Sequence, residues 1–151
     1  MADLTVTISE SIIVNNANRG STNTTTITDI TDTFERVVTC INGNVTTIAT
    51  FAAQPYTSAG AIDVDRCKYV RVTNLDTEAW IEVAVVTTAS NYTVLLTPGT
   101  SHILAQAEAV ALAEEDTSPS FGTLENLASI QVQPVGASFD PRVEIFAASI
   151  A

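Results

Sequence analysis

The chain has little of what most enzymes and nucleic-acid binders rely on. It carries one lysine, Lys68, and one histidine, His102, with six basic residues in all against seventeen acidic ones, for a formal net charge of -11. So few cations cannot neutralise a phosphate backbone, which excludes DNA and RNA as partners. The same balance disfavours an anionic membrane surface. The longest unbroken apolar run is 109–113, far short of the roughly 20 residues a membrane helix needs. The first residues lack the basic start and apolar block of a signal peptide, so a cytoplasmic product is expected. The two cysteines, Cys40 and Cys67, are too distant for a CxxC motif, and with His102 they would make only three ligands of a closed zinc site. Two reduced, buried thiols are the plain reading, and a disulfide between them is the alternative. Aromatic residues make up 6% of the chain, few for a cleft that stacks on sugars.

What the chain does have is β-branched residues: 23 Thr, 16 Val and 13 Ile among 151 residues. Such side chains favour pleated strands over helices. Alternation of period two recurs. Leu4, Val6 and Ile8 share a face opposite Thr5 and Thr7. Residues 34–41 read as a strand, and Asn42-Gly43-Asn44 predicts a hairpin whose return strand runs over 45–51. Residues 67–74 form a further strand, with Val70 and Val72 on one face and Cys67, Tyr69, Arg71 and Thr73 on the other. A turn over 75–78 leads to a centrally placed strand over 79–87. Strands over 91–97 and 100–105 flank Pro98-Gly99. The stretch 101–115 suits a strand better than a helix, 124–128 suits a helical turn, and 130–134 and 142–147 supply the last strands. The expected fold class is therefore all-β: a single antiparallel sandwich of jelly-roll type. The polar run from Asn15 to Thr31 sets residues 1–31 apart as an extended N-terminal arm with the first strand or strands, ordered against a neighbour; residues 32–151 form the sandwich.

No catalytic or cofactor-binding residue is expected. Ser101 and His102 are adjacent in a strand and should point to opposite faces, so they cannot pair as nucleophile and base. No Gly-x-Ser-x-Gly elbow and no Gly-rich phosphate loop occurs. Asp63 and Asp65 share a face and are the one candidate calcium pair; solvated acidic loops, including the Glu114-Glu115-Asp116 cluster, are the plainer reading. Paired carboxylates could also serve a glycosidase, but Trp80 reads as core rather than as a sugar platform. Phe34-Glu35-Arg36 reads as an edge strand with one buried ring and an exposed charge pair.

The segments 18–24, Phe34-Glu35-Arg36-Val37-Val38-Thr39-Cys40, Gly60-Ala61-Ile62-Asp63-Val64, 68–76, 116–121 and Val143-Glu144-Ile145-Phe146, in this order, resemble small virion structural proteins of marine tailed bacteriophages, including phages of cyanobacteria. The resemblance spans most of the chain. It implies a non-enzymatic capsid decoration, or cement, protein: a compact β-domain with an N-terminal arm, trimeric, sitting on the capsid surface after assembly in the host cytoplasm. The implied partners are the major capsid protein and copies of the chain itself. A neck, tail or fibre-associated component touching host glycans is the second reading, and a small hydrolase the third.

Overall fold

The computed structural model describes residues 1–57, 60–112, 121–136 and 138–151. Twelve strands follow one another: β1 (Ala2–Ser9), β2 (Ile13–Val14), β3 (Ala17–Asn18), β4 (Thr22–Thr39), β5 (Thr46–Ala52), β6 (Ile62–Asp63), β7 (Cys67–Asn74), β8 (Trp80–Thr87), β9 (Asn91–Leu96), β10 (Ser101–Leu104), β11 (Leu127–Val135) and β12 (Arg142–Ile150). One short 3-10 turn, Pro55–Thr57, interrupts them, and no α-helix occurs among the described residues.

Two five-stranded sheets carry the fold, a front sheet ordered β1-β4-β12-β7-β10 and a back sheet ordered β6-β5-β11-β8-β9. Setting aside the outermost β1 and β6, the chain passes to the other sheet at every step from β4 to β12 except between β8 and β9. That is the connectivity of a jelly roll, two interleaved Greek keys. The expected fold class is thus the observed one. The core between the sheets is aliphatic: Val70, Val72, Val143 and Ile145 from the front meet Ile48, Ile81, Val83, Val85, Ile130 and Val132 from the back. In β8 the alternation is clean, with Ile81, Val83 and Val85 buried and Trp80 and Glu82 exposed.

The hairpin expected at Asn42-Gly43-Asn44 and the turns expected at 75–78 and Pro98-Gly99 all carry the chain between the sheets. Asn42-Gly43-Asn44 joins β4 to β5, residues 75–78 join β7 to β8, and Pro98-Gly99 joins β9 to β10, each pair lying in opposite sheets. Gly43 and Gly99 take the positive φ values that mark tight reversals, 76° and 73°. Turn chemistry dictates that the chain reverses. It does not dictate whether the second strand bonds to the first or folds across the core to face it.

Of the stretch 101–115, the described residues form strand only as far as Leu104. Residues 105–112 leave the sheet and run beside β11: the Leu127 amide donates to the Ala107 carbonyl (2.9 Å) and the Glu125 amide to that of Ala111 (2.6 Å). The helical turn expected at 124–128 is likewise overridden, because Leu127 already opens β11 and is buried. The acidic cluster 114–116 lies outside the described residues. Cys67 and Tyr69 do not share a face. A register shift against Ala148 and Ser149 turns Cys67 into the main core, while Tyr69 points out of the sandwich.

The polar N-terminal stretch is one long hairpin folded within the chain. Leu4 pairs with Ile27, Ser9 with Thr22 and Val14 with Ala17, all in a single register. The Glu10 amide donating to the Ser21 carbonyl and the Arg19 amide donating to that of Ile12 continue that register between the two ladders. At the tip, Asn15 and Asn16 adopt φ values of 52° and 61°. Two consecutive positive φ values define the turn whose twist matches a two-residue hairpin, and asparagine tolerates them. At the base, Asp29 has φ 62°, beside a register shift on each neighbouring strand. The bulge bends β4, so its first half leans over the outer face of the front sheet. There Leu4, Val6 and Ile27 pack with Tyr69, Ala148 and Phe146 in a second, smaller core around Ile30.

Gly20 is needed in this hairpin for space. A Cβ there would lie 1.9 Å from the Glu10 carbonyl oxygen and 2.8 Å from the Ser11 Cα, both backbone atoms that cannot swing aside. Gly20→Ala is therefore expected to open the outer half of the hairpin while leaving the sandwich intact. Hydrogen exchange should show lost protection near Glu10 and Arg19 with β7 and β12 unchanged; unchanged protection along the hairpin contradicts the packing described.

Candidate assembly surface

Pairing across the hairpin places alternate residues on two faces. One face carries Thr5, Thr7, Ser9, Thr22, Thr24 and Thr26. Its hydroxyls bond across the strands, Thr7 to Thr24 at 3.1 Å and Ser9 to Thr22 at 3.0 Å. The other face carries the apolar Leu4, Val6, Ile8, Ile12, Val14, Ala17 and Ile27, interrupted by Glu10 between Ile8 and Ile12 and edged on the returning strand by Arg19, Ser21, Asn23 and Thr25. Its inner half is partly buried on Tyr69 and Phe146. Its outer half is bare: Ile8 is 50% exposed, Ile12 55% and Val14 43%. Between the stripe and the outer face of the front sheet runs a groove of about 460 Å³, lined by Val6, Ile8, Ile27, Lys68, Tyr69 and Ile103. From Thr31 to Thr39, β4 has only β12 as a partner, which leaves an open strand edge beside the hairpin's base.

The basic residues near the groove are paired. Lys68 Nζ donates to Glu108 Oε2 at 2.8 Å and to the Asp65 carbonyl at 2.7 Å, and Arg71 pairs with Glu144. Asp63, one of the two calcium candidates, is engaged on both oxygens: Oδ1 accepts the Asp65 amide (3.1 Å) and Oδ2 faces Arg66 Nε at 3.5 Å. No group of three or more His, Cys, Asp or Glu side chains placed to hold a metal occurs among the described residues. Ser101 and His102 diverge. The Ser101 hydroxyl bonds Thr73 Oγ1 at 2.8 Å, while His102 Nε2 meets the Tyr92 hydroxyl at 3.2 Å with the rings edge to face. Phe34 packs against the main core, with Glu35 and Arg36 exposed. No described helix is long and apolar enough to cross a membrane.

Trp80 departs from expectation. It is 48% exposed on the outer face of the back sheet, paired with Val135. The alternation of β8 assigns Ile81, Val83 and Val85 to the core, so Trp80 must point the other way. Cys40 and Cys67 are free and buried. Burial pushes the Cys40 thiol up to about 11 and raises that of Cys67 as well. Both thiols should resist an aromatic disulfide reagent at pH 8 in the native protein and react at the rate of unfolding; immediate labelling of either would contradict this packing.

Two polar groups hold loops that the sequence reading did not single out. The Glu125 carboxylate accepts from the Thr87 hydroxyl and from the Ala89 amide at 3.0 Å. Asn74, fully buried, donates to the Ala79 and Leu96 carbonyls and accepts from the Asp76 amide. The only sequence signal for either is an Asn or Glu near a turn, which is common. The hydrogen bond from Thr87 and then that from Ala89 hold Glu125 below its ordinary value of 4.5, and the Ala79 and Glu78 amides hold Asp76 below 3.8. Desolvation lowers His102 from 6.5. In all three cases the unfolded chain binds protons at a higher pH than the folded one. Their contribution is complete above the ordinary values and is lost as pH falls through the folded ones. A melting-temperature series should therefore decline first below pH 6.5 and again below pH 4.5, and Glu125→Gln should flatten the second decline. An unchanged acid limb in that variant would contradict the assignment.

No protein-family model and no curated protein matches this chain.

Proposed function

We propose that this chain is a non-enzymatic virion structural protein: a capsid decoration protein that braces the head shell of a tailed phage through protein–protein contacts. The observation that carries the reading is the amphipathic hairpin from Ala2 to Ile30. It projects a bare apolar stripe from a jelly roll whose own core is already filled. Solvated apolar side chains on a long ordered ribbon are a cost that contact with another protein surface removes. The partners are the major capsid protein and copies of the chain itself, arranged as a trimer. A net charge of -11 keeps such a protein off packaged DNA and keeps particles apart. Quantitative mass spectrometry of washed virions tests the proposal. Copy number in proportion to the major capsid protein supports it, and absence from the particle refutes it.

One observation favours the second reading, a neck, tail or fibre component that touches glycans. Trp80 presents its ring outward beside Val135 rather than filling the core, and exposed rings are the usual platforms for sugars. Copy number set by the tail's symmetry, with glycan binding lost in Trp80→Ala, would select it.

A further inference from the structure

We infer that the hairpin tip of one copy docks in the groove of a second copy, with Ile12 and Val14 entering between Ile8 and Ile103 of the receiving chain. This deepens the proposed function and rests on its premise that the chain assembles with itself.

The stripe supplies the first argument. Leu4, Val6 and Ile27 are partly buried on the chain's own front sheet, and the same face continues past Ile8 and a single acid, Glu10, to Ile12 and Val14, which are exposed. A surface built to pack along its whole length is packed along half of it. Ile13, on the opposite face, is 75% exposed with polar Asn18 across from it, so the docking face is the one that already packs.

Charge supplies the second argument. Residues 11–28 contain no acidic side chain and one basic one, Arg19, whereas the rest of the chain holds all seventeen acids. Two copies repel each other over most of their surfaces, and the tip is the part that can approach without that penalty. Arg19 lies across the hairpin from Ile12. Lys68, which lines the receiving groove, is bound to Glu108, whose side chain is 40% exposed. A tip seated in the groove brings Arg19 to that carboxylate.

Tip and groove are different surfaces of one chain, so the contact is heterologous: each copy gives a tip and receives one, and with the trimer of the proposed function it closes as a three-membered ring. One such contact is small. A ring gives every copy two, and a copy leaves only when both are broken.

Disulfide trapping in the full-length chain tests the geometry. Native Cys40 and Cys67 are buried and will not compete. Val14→Cys chains mixed with Ile103→Cys chains should cross-link to each other under mild oxidation, and the double variant should yield closed covalent oligomers. Failure of that cross-link, or cross-linking of Val14→Cys only to itself, overturns the inference. Sedimentation supplies the second readout. Ile12→Asp with Val14→Asp should leave a folded monomer, while Ile13→Asp should assemble as the unchanged chain does. Assembly surviving the double substitution refutes tip docking. Neutral or anionic lipid vesicles that bind the chain through Ile12 and Val14 would assign the tip to a lipid surface and also refute it. A chain that is monomeric at every concentration refutes this inference together with the trimer it rests on, while virion mass spectrometry decides independently whether the chain is a shell protein.

Discussion

Asn74→Ala is expected to lower the unfolding free energy by about 3 kcal/mol, among the largest effects of any single substitution in this chain. Asn74 ends β7 at the point where the chain crosses to the back sheet, and it is fully buried. Its Nδ2 donates to the Ala79 carbonyl at 2.8 Å and to the Leu96 carbonyl at 3.2 Å, and its Oδ1 accepts the Asp76 amide at 3.0 Å. Its backbone is engaged too, donating to the Thr100 carbonyl and accepting from the Gly99 amide. One side chain therefore joins the β7–β8 crossing to the β9–β10 crossing. Each lost bond costs roughly 1 kcal/mol net, and a buried group left without a partner costs more. Asp76 extends the motif, accepting the Glu78 and Ala79 amides at 2.9 Å each. Urea denaturation at neutral pH measures the effect. A loss below about 0.5 kcal/mol, the scale of ordinary surface substitutions, would mean that the crossings are held by packing alone.

Removing residues 1–21 is expected to separate assembly from folding. The deletion takes away β1 and the tip and strips Leu4 and Val6 from Tyr69 and Phe146. It leaves the core between the sheets untouched, since no residue before Thr22 belongs to it. Partial re-exposure of a few large side chains corresponds to about 3 kcal/mol, which a filled jelly-roll core should survive as a cooperative unit. Self-association, by contrast, should disappear, because the apolar stripe is gone. Denaturation and sedimentation on the same sample read the two effects. A truncated chain that does not fold would make the hairpin part of the folding unit. Equal loss of attachment and stability would refute the division of the chain at residue 31.

The legible part of the fold was its alternation. Period-two patterns place β5, β7, β8, β9 and β12 close to their observed bounds, because along each strand more buried positions alternate with less buried ones. Crossings were not legible, since Gly43 and Gly99 signal reversal in either geometry. Trp80 reads as core rather than as a sugar platform, yet Ile81 beside it takes the core position and the pleat forces Trp80 out. Cys67 was placed with Tyr69 because a bulge adds a residue that simple alternation does not count.

The hairpin shows best how polarity misleads. A run of Thr, Asn and Ser reads as a loose arm, but in a two-stranded ribbon those residues are the solvent face of an ordered element, with hydroxyls bonded across the strands. Asn15-Asn16, flanked by Val14 and Ala17, was the available turn signal. The candidate surface was harder still to foresee. An apolar stripe is visible in Leu4, Val6, Ile8, Ile12 and Val14, but which half of it is covered depends on the bend at Asp29, whose positive φ nothing nearby in the sequence announces.

The most direct test of the proposal that this chain is a particle building block is a density map of purified, washed virions of a tailed phage whose genome carries this sequence. The account predicts jelly rolls on the outer head surface, grouped about local symmetry axes, each with its hairpin tip against a neighbouring copy. Virions whose maps and protein content lack the chain altogether would contradict it.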